Sequence, residues 1–198
     1  ETYRMYYRGY PVDGPQVTCY AESDDGVHWV KPELGLVEFN GSSKNNIILS
    51  SQHSSFPVDA FAPFKDANPN AAPDAKYKAW TRGVGTAPRG LHPLKSPDGI
   101  HWTPMSDEAV ITVGLFDSQN LAFWDTVRGE YREYHRDFHE GVDAWGNKNG
   151  RDIKTATTKN FLEWPDPTWL SYSPGRIGQL YTNQVVPYYR APHIFLGF

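Results

Sequence analysis

Alternation of ring or aliphatic side chains with polar ones is the period-2 signature of a half-buried strand, and it returns three times along this chain. Tyr3-Arg4-Met5-Tyr6-Tyr7-Arg8, Tyr77-Lys78-Ala79-Trp80-Thr81-Arg82 and Tyr131-Arg132-Glu133-Tyr134-His135-Arg136 each open on Tyr and close on Arg. A second strand-like run follows each: Val17-Thr18-Cys19-Tyr20, Leu91-His92-Pro93-Leu94 and Ile153-Lys154-Thr155-Ala156. Each then leads to a polar turn and a tryptophan, in Ser23-Asp24-Asp25-Gly26-Val27-His28-Trp29, Ser96-Pro97-Asp98-Gly99-Ile100-His101-Trp102 and Thr158-Lys159-Asn160-Phe161-Leu162-Glu163-Trp164. The Ser/Thr-x-Asp/Asn core of these turns sets a short side-chain oxygen where it bonds nearby backbone N–H groups. A fourth copy begins at His193-Ile194-Phe195-Leu196.

An apolar segment stands before the later runs, at Phe61-Ala62-Pro63-Phe64, Leu121-Ala122-Phe123-Trp124 and Val185-Val186-Pro187-Tyr188. Each unit therefore predicts four strands: an inner one, the Tyr run, the turn-preceding run and one opened by the Trp. Four-stranded sheets repeated around an axis make a β-propeller. The expected fold is an all-β propeller. This chain holds about three four-stranded blades plus part of a fourth, in units 1–58, 59–115, 116–178 and 179–198. Propellers normally carry at least four blades, so the remaining blades are expected outside this chain.

Composition narrows the classes. Seven Trp, 12 Tyr and 10 Phe supply enough apolar area to exclude a disordered chain, and 17 Gly with 16 Pro exclude long helices. No run approaches the ~20 apolar residues that span a bilayer, so no membrane partner is expected. A net charge of −4 with scattered Lys and Arg argues against a nucleic-acid partner. The single cysteine, Cys19, excludes an internal disulfide and reads as a buried, inert thiol.

In a blade, the start of the inner strand and the end of the second strand share one face. That places His53 and Asp59, Asp117-Ser118-Gln119-Asn120 and Tyr181-Thr182-Asn183-Gln184 beside Arg8, Arg82 and Arg136-Asp137-Phe138-His139-Glu140. Polar residues before an apolar strand either line a pit suited to a hydroxyl-rich ligand or cap the strand and tie sheets together. Both readings stand for Asp117, Gln119, Asn120, Asn183 and Gln184. An Arg beside two carboxylates holds one ionised, while burial raises the other. Glycosidic cleavage needs that division into charged partner and proton donor. Asp117, Asp137 and Glu140 are thus the catalytic candidates. Asp59, Arg82, Gln119, Asn120, Arg136, His139, Asn183 and Gln184 are the substrate-binding candidates, with Trp145 as a stacking platform or a loop anchor. The bland alternatives are a solvated loop around Asp137 and arginines that bond loop carbonyls. His53, His135 and His139 lack a zinc spacing, Arg82-Gly83-Val84-Gly85 lacks a phosphate-loop context, and no nucleophile elbow is present. No metal or cofactor is expected.

The Ser-x-Asp-x-x-x-Trp string at Ser23/Asp25/Trp29 and Ser96/Asp98/Trp102, with Thr158/Asn160/Trp164 as its variant, resembles the blade motif of five-bladed glycoside hydrolases, the invertase-like and arabinanase-like enzymes of families 32 and 43. The chain is also similar to a group of bacterial glycosyl-hydrolase-like proteins, through Phe116-Asp117-Ser118-Gln119-Asn120, Tyr188-Tyr189-Arg190-Ala191-Pro192-His193 and Phe195-Leu196-Gly197-Phe198. The resemblance implies hydrolysis of a poly- or oligosaccharide, outside the cell or in the periplasm, with Asp117 near the transition-state-stabilising carboxylate. Arg136-Asp137 resembles the family's Arg-Asp-Pro string, with Phe138 replacing Pro. The family's Asn-Asp-Pro-Asn and Glu-Cys motifs are not found. A sugar-binding propeller without catalysis is the alternative expectation, and a protein-interaction propeller follows if the axial face is apolar.

Overall fold

The first repeat folds as a three-stranded antiparallel sheet of β1 (Tyr3–Gly9), β2 (Val17–Ser23) and β3 (Ile47–Ser50), in the order β1-β2-β3. The second and third are four-stranded meanders in chain order. One comprises β4 (Asp59–Lys65), β5 (Tyr77–Arg82), β6 (Leu91–Ser96) and β7 (Thr103–Pro104), and the other β8 (Leu121–Asp125), β9 (Glu130–Phe138), β10 (Arg151–Thr158) and β11 (Thr168–Trp169). β12 (Val186–Tyr188) and β13 (Ala191–Leu196) pair as a hairpin. The computed structural model describes residues 2–12, 14–83, 87–139, 150–172 and 179–198. Among them the chain is all-β apart from one 3-10 turn at Pro73–Ala75.

Four strands were expected of the first repeat, and three are found. β1 has no inner partner among the described residues, so one of its edges is unpaired. β3 escapes the alternation rule because Ile47-Ile48-Leu49-Ser50 is buried along its whole length, and a strand covered on both faces reads as a continuous apolar run. In place of a regular fourth strand, Val30 makes a single bridge to Glu22.

The turns bond alike. Gly26 N–H donates to Ser23 Oγ, and Val27 and His28 N–H donate to Asp25 Oδ1. Gly99, Ile100 and His101 repeat this on Ser96 and Asp98. In the third copy Asn160 N–H donates to Thr158 Oγ1 and Leu162 N–H to Asn160 Oδ1. Gly26 and Gly99 lie at φ 77° and 81°, a region costly for a side-chain-bearing residue. Gly99 is also approached by Arg4 and Tyr6 of the first sheet, where a Cβ would collide. Phe161 takes the glycine's place in the third turn, which avoids positive φ, and its ring stacks on Trp80 at 4.4 Å.

The core lies between sheets. Tyr20, Ala79, Leu94 and Trp102, with Tyr6 and Phe61, fill the gap between the first and second sheets. Trp80, Leu91, Phe116, Tyr131 and Phe161 fill that between the second and third. Ala79 and Trp80, adjacent on β5, thus serve opposite faces, as the pleat requires. Cys19 is buried and free, in a smaller cluster with Val17, Val37 and Ile47. Polar ties cross the same gaps. Arg4 donates to the Asp98 carbonyl and Tyr6 OH to that of Gly99 at 2.9 Å. The buried ammonium of Lys78 pairs with Asp66, which also accepts Tyr131 OH at 2.7 Å. These contacts set the sheets face to face and bring β4 and β8 alongside each other.

Candidate active site

Each arginine that closes a Tyr run turns toward the start of an inner strand. Arg82, directly across from Asp59 in the β4–β5 register, pairs with its carboxylate at 2.5 Å. Arg136 pairs with Asp117 in the same way. Asp59 and Asp117 therefore hold equivalent places in successive sheets, but their surroundings differ. Asp59 is also held by Arg8 at 3.3 Å and by Gln16 Nε2 at 3.0 Å, and its side chain is 10% exposed. It binds the first sheet to the second. Asp117 has one ionic partner, and 49% of its side chain is open. Of the two carboxylates, Asp117 is the one a ligand can reach.

Desolvation by itself would raise the Asp117 pKa. The Arg136 hydrogen bond and charge, aided by Arg82, outweigh it and hold the carboxyl below its ordinary range. Asp117 is thus a carboxylate at neutral pH, suited to act as base, nucleophile or charge stabiliser and unsuited to donate a proton.

The amides that follow it in the chain bond to one another and to backbone carbonyls. Gln119 Nε2 donates to Gln184 Oε1, and Asn183 Nδ2 donates to the Gln119 carbonyl at 3.2 Å. These bonds carry the segment before β12 to the segment before β8. Asn120 is fully buried, with its Nδ2 on the Phe116 and Ser118 carbonyls at 3.0 and 3.2 Å. It ties the turn that presents Asp117. Gln119 and Gln184, together with Arg8, Ser118, Tyr6 and the Ala60–Pro63 stretch of β4, line a cleft of about 400 Å³. A β-bulge between Asp59 and Ala62, with Ala60 at φ 50°, kinks β4 at this place.

Asp137 follows Arg136 on β9 and so faces the other way. Its carboxylate pairs with Lys154 at 2.9 Å, so it does not join Asp117. On that face Glu133 and His135 are wholly buried, 2.7 Å apart, and desolvation pushes the Glu133 carboxyl up. His139 lies in a separate cluster, stacked on Trp169 at 3.9 Å with its Nε2 3.2 Å from Asp152, which accepts Tyr172 OH. Glu140 and Trp145 lie outside the described residues.

Arg151 and Tyr181 were not among the catalytic or substrate-binding candidates. The Arg136 and Arg151 guanidinium groups both lie over the Tyr181 ring, at 4.9 and 5.3 Å from its centroid. Both also lie over Phe138. Arg151 becomes visible only from the register, which sets it across from Phe138. Among the described residues no group of three His, Cys, Asp or Glu side chains is placed to hold a metal ion.

No protein-family model matches the chain, and no curated protein does. A solved structure of a glycosyl hydrolase from Bacteroides ovatus aligns over 93% of this chain and 54% of its own, at 16% identity and a TM-score of 0.47. The chain therefore spans about half the length of that enzyme. At this level of likeness the match says nothing about chemistry here.

Proposed function

We propose that this chain supplies several blades of a β-propeller glycoside hydrolase whose axial cleft takes a saccharide, with Asp117 as the ionised carboxylate of the reaction. The observation that carries the reading is the Asp117–Arg136 pair. It is a repeat of the sequestered Asp59–Arg82 pair, left half open, and Asp117 directly precedes Ser118 and Gln119, which line the cleft. Amide side chains give and accept hydrogen bonds in the pattern that sugar hydroxyls need. The Tyr6 ring and the apolar stretch of β4 suit the C–H face of a pyranose. A carboxylate held below its ordinary pKa stabilises an oxocarbenium-like transition state or activates the attacking group.

The full protein with Asp117→Asn is the test. Hydrolysis of a glycan panel falls by orders of magnitude while saccharide binding persists, and unchanged turnover removes Asp117 from the reaction. Sugar binding without catalysis is the second reading. It is favoured by the place of Asp137, whose pairing with Lys154 leaves the Asp117 cleft without a proton-donating carboxyl among the described residues. Under that reading, titration calorimetry registers saccharide while prolonged incubation releases no reducing ends.

A further inference from the structure

The charges around the cleft do not balance. Arg8 and Arg82 share the single carboxylate of Asp59. Arg136 has Asp117, and among the described residues the Arg151 side chain bonds the Gln179 amide, at 3.3 Å, and no carboxylate. Two carboxylates and one amide thus serve four guanidinium groups, of which Arg8 lines the cleft and Arg136 and Arg151 meet over Tyr181. The Nε–H groups of Arg82, Arg136 and Arg151 are buried donors without a partner among the described residues, and Arg136 itself is 2% exposed. Unused buried donors are costly, and close like charges add to that cost. An anionic ligand relieves both.

The arrangement also selects among anions. Tyr181 is 54% exposed, and Arg136 and Arg151 lie over its ring, while Gln184, three residues along the chain, accepts from the Gln119 amide. A ring for a sugar face, a planar fork for a bidentate acceptor and amides for hydroxyls lie together. We propose that the saccharide of this cleft is a uronic-acid glycan, its carboxylate bound by Arg151 beside Tyr181. This rests on the saccharide reading above and names the sugar class.

The test uses the full-length protein and titration calorimetry with galacturonate, glucuronate and mannuronate oligosaccharides. Their methyl esters and a sulfated neutral oligosaccharide of equal length serve as comparisons. At least one uronate binds tenfold or more tightly than its ester, and the advantage shrinks as salt rises. Arg151→Gln loses that preference, while Arg151→Lys, which keeps the charge without the fork, retains part of it. Equal affinity for acid and ester, no binding of any uronate, tighter binding of the sulfated sugar, or a preference that survives Arg151→Gln overturns the proposal. Turnover of neutral and acidic glycans alike overturns it and leaves the hydrolase reading intact. Uronate-selective binding with no turnover supports it and removes catalysis instead.

Discussion

The indole of Trp164 meets that of Trp80 edge-on, with ring centroids 5.8 Å apart. One sheet earlier Trp102 meets Tyr6 in the same manner at 6.4 Å. Trp102 and Trp164 thus seal onto the fourth position of the preceding sheet's Tyr run, and the Nε1–H of each closes on the carbonyl three residues back. Large aromatic truncations in a core cost about 3–5 kcal/mol. Trp102→Ala is expected to fall in that range by urea unfolding. Trp29→Ala should cost much less, because Trp29 is half-buried and meets no ring among the described residues.

Lys78 and Asp66 form a buried ion pair between the second and third sheets. Removing one partner of such a pair leaves an uncompensated charge, at about 3–5 kcal/mol. Lys78→Met should therefore destabilise by that order. Adding Asp66→Asn should recover part of the loss, since no charge then remains unpaired. Chemical denaturation of the two variants checks the sign of the difference.

Acid should weaken the turns. The His28 side chain and backbone bonds hold the Asp25 carboxyl well below the usual range. Asp98 is held there against desolvation by the N–H groups of His101 and Ile100, the His101 ring and Ser96. A carboxyl depressed in the folded state contributes stability that is complete above its unfolded pKa, about 3.9. That stability is lost as pH falls through the folded value. Unfolding free energy should decline below about pH 4. Asp98→Asn should make the decline shallower by a fraction of a proton, because 44% of the side chain faces solvent. Glu133, raised by burial, works in the opposite sense.

Ala60, at φ 50° in the β4 bulge, occupies a region that costs a Cβ-bearing residue about 1–2 kcal/mol. Ala60→Gly should stabilise by about 0.5–1 kcal/mol after the extra freedom glycine brings to the unfolded chain. A rise in melting temperature checks it.

The repeat was open to inspection because turn chemistry and period-2 alternation depend on neighbours in the chain. Ser96, Asp98 and Trp102 declare their roles by spacing alone. The inner strands were legible too, as apolar runs before each tyrosine. What stayed hidden depends on contacts across the chain. Nothing local distinguishes Asp59 from Asp117, for example. Their difference comes from Arg8 and Gln16, which reach Asp59 from 51 and 43 positions away. Likewise Arg136 and Asp137 read as one charged cluster until the pleat sends one to Asp117 and the other to Lys154. For Asn120 both a ligand and a structural reading were open in the sequence, and only the fold shows its amide on carbonyls two and four residues back.

The unpaired side of β1 has a practical consequence. A row of backbone donors and acceptors seven residues long is a template on which any extended polypeptide can add itself, whatever its sequence. Where that strip is left uncovered, it offers a route to self-association that the modest net charge does not control. Association should rise with concentration and be insensitive to ionic strength.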